Sequence, residues 1–215
     1  MDIEQARFNM IEQQIRTCGV LEPGTLEALA AVRRERFVPP ALQALAFADL
    51  ALPIGKGQFM LEPKNEARVL QALQIRRGEN VLEIGTGSGF MAALLAARGA
   101  LVRSLEIEPT LATQARINLD RAGVDNVLVE DADGAAGEPE CAPYDLILAS
   151  GSVEHIPQVW LEQLKMGGRV FAFVGTGTVM KARMLTRVSN GYRERDVFET
   201  VVPPLRLARA TQFRL

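Results

Sequence analysis

Apolar positions recur along this chain with two different periods. In the first fifty residues the spacing is helical. Met10, Ile11, Ile15 and Cys18 fall on one face, and Gly19 follows as a stop signal. Pro23 and Gly24 open a second helix with Leu26, Leu29 and Val32 on one side, and Val38-Pro39-Pro40 closes the region. The glycine-rich stretch LPIGKGQ at 52–58 reads as loop, and helical spacing returns over 64–75. From residue 80 the pattern changes. Short apolar runs at 80–85, 101–108, 126–131, 144–150 and 168–175 alternate with helical stretches at 90–98, 109–122 and 156–164. The run YDLILAS at 144–150 is apolar almost throughout, as expected of a central strand buried on both faces. Such alternation predicts right-handed βαβ units and a parallel sheet, with Trp160 and Leu164 packing the last helix onto it. Beyond residue 181 the pattern predicts antiparallel strands turning at Ser189-Asn190-Gly191. The expected class is α/β: a Rossmann-like sheet with an N-terminal helical extension and antiparallel C-terminal strands. One domain over 1–215 is expected, with helices and a substrate-side loop at 1–60, the α/β core at 61–180 and the terminal strands at 181–215.

Composition narrows the class without changing it. Hydrophobic residues are 48% and charged residues 23% of the 215, which supports a buried core and argues against disorder. The net charge of −2 and the lack of a long basic block argue against binding nucleic acid by counterion release. Cys18 and Cys141 form no metal-ligand spacing and are expected as reduced thiols of a cytoplasmic protein. The opening MDIEQARFNM carries acidic residues and no apolar centre, unlike a signal peptide, and no apolar run is long enough for a membrane span.

The chemistry concentrates in VLEIGTGSGF. A strand runs straight into Gly85, Gly87 and Gly89, and a helix follows at once. Glycines let the backbone turn sharply and let a ligand touch it, and in open α/β sheets ligands sit beyond the strand C-termini. Glu106 ends the next strand, where its carboxylate can accept both hydroxyls of a ribose, with Ile107 beside it. A dinucleotide site requires glycine at the sixth position of G-x-G-x-x-G, and this chain has Phe90 there. Glu83, two residues before Gly85, would repel a pyrophosphate but suits a ligand with a charged amine. S-adenosylmethionine (SAM) has an ammonium, a sulfonium and no phosphate. It is the favoured ligand of this loop, which also presents Thr86 and Ser88. Asp133-Gly134, just past the third strand, faces the same edge. Asp133 is placed to accept from the adenine amino group, and Asp131 reads as solvated.

Linked segments resemble the protein-L-isoaspartate O-methyltransferases along nearly the whole chain. MIEQQIRTCGVLEPGTLEALAAVRRERFVP is similar to that family's opening helices with their R-x-x-F-V-P ending. FADLALPIGKGQ resembles its A-L-P-I-G-x-G-Q segment, VLEIGTGSGF its SAM loop, DADGAAGEPECAPYDLILAS its G-D-G…A-P-[FY]-D segment with Ala132 for the first glycine, and IPQVWLEQLKMGGRVFAFVG its last parallel strand. The resemblance implies a SAM-dependent enzyme that yields S-adenosyl-L-homocysteine, uses no metal, and methylates the free carboxylate of L-isoaspartyl residues in damaged proteins or peptides. It implies a substrate side at Ile54, Gln58, Phe59 and Met60.

One departure touches that side. The family's T-I-S-[QA]-P after G-Q is here Phe59-Met60-Leu61-Glu62-Pro63, so Leu61 stands where an active-site serine is usual and Glu62 adds a negative charge. SGSVEHIP after the fourth strand also departs from the family's small apolar run. A carboxylate acceptor is ionised at neutral pH and needs no general base. An amine or hydroxyl acceptor would need one, and Glu62, Glu154 and His155 are the candidates, with His155 otherwise a capping or surface residue. Phe59, Met60 and Leu61 suggest an apolar lid, and Lys64 a solvated residue or a partner for Glu62. Two alternatives therefore stand beside the isoaspartyl reading: a related methyltransferase with a different small-molecule or protein acceptor, and a SAM-binding protein without turnover.

Overall fold

The computed structural model describes residues 2–207. Its centre is a seven-stranded sheet in the order β5-β4-β3-β6-β7-β8-β9. Strands β3 (Asn80–Ile84), β4 (Leu101–Glu106), β5 (Val127–Asp131), β6 (Tyr144–Val153) and β7 (Leu164–Val174) run parallel. Strands β8 (Met180–Val188) and β9 (Gly191–Thr200) extend it antiparallel through the expected turn, with Val188 paired to Gly191. The chain leaves β3 toward β4 and β5, then returns to the other side of β3 as β6. The C-terminal ends of β3 and β6 therefore form the point where strand order reverses, the usual place for a ligand crevice.

Alternation along each strand divides the apolar residues between the two sheet faces. Val81, Leu146, Leu148, Phe171 and Phe173 join one core with the N-terminal helices, while Leu82, Ile84, Ile147, Trp160 and Ala172 form the other. Helix α4 (Phe90–Ala97) is buried from Phe90 to Ala96. That explains why its sequence is apolar all round rather than amphipathic: of the helices α1 (Ile3–Asn9), α2 (Pro23–Ala31) and α3 (Pro63–Leu73), it lies between the sheet and the last two. Helix α5 (Pro109–Ala122) packs along β4 and β5, and the short α6 (Gln158–Glu162) brings Trp160 fully into the second core.

Several elements differ from their sequence expectation. The 52–58 stretch is not loop: β1 (Leu52–Gly55) and β2 (Gln58–Met60) form a hairpin. Lys56 and Gly57 both have positive φ, 53° and 70°, as a tight two-residue turn demands, so the glycines mark the turn and not an absence of structure. Cys18 is exposed because the first helix widens to a π-helix at Met10–Ile15 and then tightens to a 3-10 turn, which rotates Cys18 off the apolar face. Leu164 is the first residue of β7, paired with Tyr144, and not the last of a helix. After Thr200 the chain is no longer antiparallel strand. It crosses the sheet edge, where Pro204 bridges Ser152 of β6 in parallel sense. The expected strands at 208–215 lie outside the described residues.

Candidate functional site

The C-terminal ends of β3, β4, β5 and β6 surround a cleft of about 540 Å³, counting its open mouth. Gly85 and Gly87 form its floor. Glu106 and Ile107 stand on one side, Ala132 and Gly134 on another, and Ile54, Gln58, Phe59 and Leu61 reach in from the hairpin and the residue that follows it. Gly85, Gly87 and Gly89 all have positive φ, at 92°, 54° and 86°, so the turn after β3 depends on residues without Cβ. At Gly134, a Cβ would collide with the side chain of Ile84, so glycine is required there for close approach to the cleft wall.

Glu106 is nearly buried, and its carboxylate is held from both sides. Oε2 accepts from the Gly87 N–H at 2.8 Å and Oε1 from the Glu108 N–H at 3.0 Å. Each oxygen keeps a lone pair facing the cleft. Asp133 accepts from the Ala135 N–H at 3.1 Å, between the two cleft residues Ala132 and Gly134. Asp131 is exposed, as expected, and pairs at the surface with Arg116 at 2.5 Å. Trp160 supports this wall from below, its Nε1–H donating to the Gly134 carbonyl at 2.9 Å.

Glu83 lies beneath the glycine turn, fully buried. Its oxygens accept from Ser104 at 2.6 Å and Ser150 at 2.7 Å, and Thr86 joins the same group through Ser104. Burial pushes its pKa up to about 7; the two hydroxyls oppose that rise and Glu106 adds to it. Between the ordinary value of 4.5 and about 7, the folded chain keeps this proton while the unfolded chain releases it. Stability therefore falls as pH rises through that window. Urea unfolding should show this decline from pH 5 to 7, and Glu83→Gln should flatten it. An equal slope in the variant would mean that Glu83 is not the group responsible. Ser88 turns its hydroxyl to the Phe90 N–H at 3.4 Å and its carbonyl to Asn118 at 3.0 Å, which ties the turn to α5.

On the hairpin side, Leu61 is buried and lines the cleft, Phe59 is largely exposed at it, and Met60 points into the core. Arg34, buried beside Phe90, fixes this segment. Its Nη2 donates to the Leu61 carbonyl at 2.6 Å, Nε to the Ala46 carbonyl at 2.8 Å, and Nη1 to Glu66. Burial raises the pKa of Glu66, against the attraction of Arg34. Glu62 stands at the N-cap position of α3, outside the cleft lining, and its side chain accepts from that of Asn65 and makes no capping bond; partial burial raises its pKa as well. Lys64 donates to Asp49 at 2.8 Å. His155 is strongly exposed beside Glu154, in a separate hollow with Gly175 and Met180.

The sequence reading missed three sets of residues. Ile84, Leu105, Ser150 and Gly151 line the cleft at strand ends, where the parallel-sheet pattern could have placed them. Arg34 gave no signal beyond its place in the R-x-x-F-V-P run. The segment Pro203 to Arg206 crosses the cleft, with Leu205 packed over Gly85, and no periodicity announces it.

A glycine turn at the strand-order reversal, with an acceptor carboxylate at the end of the neighbouring strand and no phosphate-suited sixth glycine, defines a Rossmann-like SAM-dependent methyltransferase. The family described as protein-L-isoaspartate(D-aspartate) O-methyltransferase matches residues 5–203. A protein-L-isoaspartate O-methyltransferase of Gloeobacter violaceus is 42% identical over 91% of this chain and 96% of its own length. One of Methanoculleus marisnigri is 45% identical over 79% of this chain and 77% of its own. Among solved structures, a protein-L-isoaspartate O-methyltransferase superposes with a TM-score of 0.78 at 25% identity, covering 94% of this chain and 65% of that longer one. A Plasmodium falciparum beta-aspartate methyltransferase, solved with S-adenosyl-L-homocysteine, shares the fold at a TM-score of 0.80 and 16% identity, over 96% of this chain and 99% of that one. The chain belongs to the protein-L-isoaspartate O-methyltransferase family.

Among the described residues, no helix is long and apolar enough to cross a membrane.

Proposed function

We propose that this chain methylates the free carboxylate of L-isoaspartyl residues in damaged proteins and peptides, using SAM. The observation that carries the reading is the chemistry of the cleft wall. Among the described residues, its lining holds no histidine, lysine or aspartate, and the one carboxylate there, Glu106, is already engaged by two backbone N–H groups. Such a wall suits an acceptor that arrives ionised, because a carboxylate has a reference pKa near 4 and needs no base. When bound, SAM supplies a methyl group activated by its positive sulfur. Glu106 would take the ribose hydroxyls, Asp133, which lies beside the lining between Ala132 and Gly134, would take the adenine amino group, and the turn at Gly85 to Gly89 would make the backbone contacts. Glu83 would set the charge beneath them. The hairpin and Leu61 would hold the acceptor in line, and alignment of this kind is worth roughly 7–11 kcal/mol. The helices, sheet and C-terminal strands serve the reaction as one unit. The two free cysteines fit a cytoplasmic setting.

Leu61 favours a second reading. It puts an apolar group on the cleft where the resemblance leads one to expect a hydroxyl, and a different acceptor would suit it. Methyl transfer to a matched pair of peptides decides between them. Label on the isoaspartyl peptide and none on the aspartyl peptide is the expected result. SAM binding without turnover on any isoaspartyl peptide would defeat the first reading.

A further inference from the structure

We infer that Arg206 is the anion receptor for the acceptor carboxylate, a specificity-determining residue that supplies the recognition Leu61 cannot. The inference rests on the isoaspartyl reading above. Among the described residues, Gln58, Glu106, Ser150 and Arg206 are the polar side chains that line the cleft, and Arg206 is the one cation in that set. Glu106 repels an anion. The Ser150 hydroxyl already donates to Glu83. An incoming carboxylate therefore meets one group in the lining with both the charge and the paired donors to hold it.

The backbone fixes where this guanidinium starts. The Ser152 N–H donates to the Pro203 carbonyl at 2.9 Å, and the Leu205 N–H donates back to the Ser152 carbonyl at 2.8 Å. Arg206 follows directly, at the cleft mouth. Its own side chain is loosely held. It is half exposed, lies 3.6 Å from Glu108, and donates to the Lys56 carbonyl at 3.3 Å. Lys56 also stands 3.7 Å from Glu108, so two cations share that one carboxylate at the rim, and Arg206 is free to take a second partner. One oxygen of the acceptor would rest on Arg206 while the other faces the methyl group. An ion pair made in the bound substrate and largely kept in the transition state contributes equally to both, and is lost only as the ester leaves. Its removal should therefore raise KM and leave kcat little changed.

The test is steady-state methyl transfer to an isoaspartyl peptide by the wild type, Arg206→Gln, Arg206→Lys and Glu108→Gln, with SAM affinity measured by calorimetry. Arg206→Gln should raise the peptide KM roughly tenfold, as loss of one charged hydrogen-bonding partner implies. Its kcat and SAM affinity should stay within about twofold, and Arg206→Lys should recover part of the loss. Glu108→Gln frees Arg206 from its competitor and should lower KM. If the Arg206–Glu108 pair merely latches the crossing segment, both variants would shift KM in the same direction and SAM affinity would fall. Either result overturns the assignment, as does an unchanged KM in Arg206→Gln. A wild type that binds SAM but methylates no isoaspartyl peptide defeats the functional reading itself and the assignment with it. A wild type that turns over normally beside an indifferent Arg206→Gln defeats the assignment alone.

Discussion

Glu106→Ala should abolish useful SAM binding, weakening it by on the order of 10²–10³-fold in a calorimetric titration. The carboxylate accepts from the Gly87 and Glu108 N–H groups and presents its remaining lone pairs to the cleft. Two hydroxyls of a bound ribose would complete four hydrogen bonds to one charged group. Bonds to charged partners are worth about 1.5–3 kcal/mol each, and the substitution also leaves two sheltered N–H donors without partners. The same change should loosen the turn itself, because Gly87 is anchored to β4 through this side chain. Glu106→Gln keeps one acceptor oxygen and should lose less, about tenfold. Binding of Glu106→Ala within threefold of the wild type would show that the ribose lies elsewhere.

Arg34→Ala should cost about 3–5 kcal/mol of folding stability, read from urea unfolding. Arg34 and Glu66 are both buried, so truncation strands a carboxylate in the core. It also leaves the Ala46 and Leu61 carbonyls without their donor and removes a cation from the face of Phe90. Arg34→Lys should recover little, because one ammonium cannot reach three acceptors in the planar fork that arginine provides. Replacing the pair together, as Arg34→Met with Glu66→Leu, should restore part of the loss, since no charge is then left unpaired. A cost under 1 kcal/mol for Arg34→Ala would mean that this buried pair does not hold the segment after α2 to α3. Because Arg34 grips the backbone of Leu61, the single variant should also loosen the acceptor side of the cleft.

The parallel core was legible because its signals are local. Apolar runs near 80–85 and 144–150 mark strands wherever they occur, and VLEIGTGSGF announces a turn that only glycine permits. Glu106 was legible for the same reason: a carboxylate at a strand end, one βα unit past a glycine turn, faces the crevice by topology. What escaped depends on contacts between distant residues. The hairpin at Leu52–Met60 looks like loop because strands of four and three residues give too short an alternation to read. Arg34 reaches Leu61 and Glu66 across about thirty positions, as the hydrogen bonds show and no pattern predicts. The crossing of Pro203 to Arg206 over Gly85 is set by a bridge to Ser152, some fifty residues earlier. Glu62 and His155 were singled out for chemistry that their side chains can perform, but the first is held by Asn65 outside the cleft lining and the second stands exposed in another hollow.

A crystal structure of this chain with S-adenosyl-L-homocysteine and an isoaspartyl peptide tests the cleft most directly. Both ribose hydroxyls should lie within hydrogen-bond distance of Glu106, the thioether over the turn from Gly85 to Gly87, and the isoaspartyl carboxylate between Leu61 and the cleft mouth. A nucleoside bound anywhere else, or a peptide seated away from the β1–β2 hairpin, would contradict it.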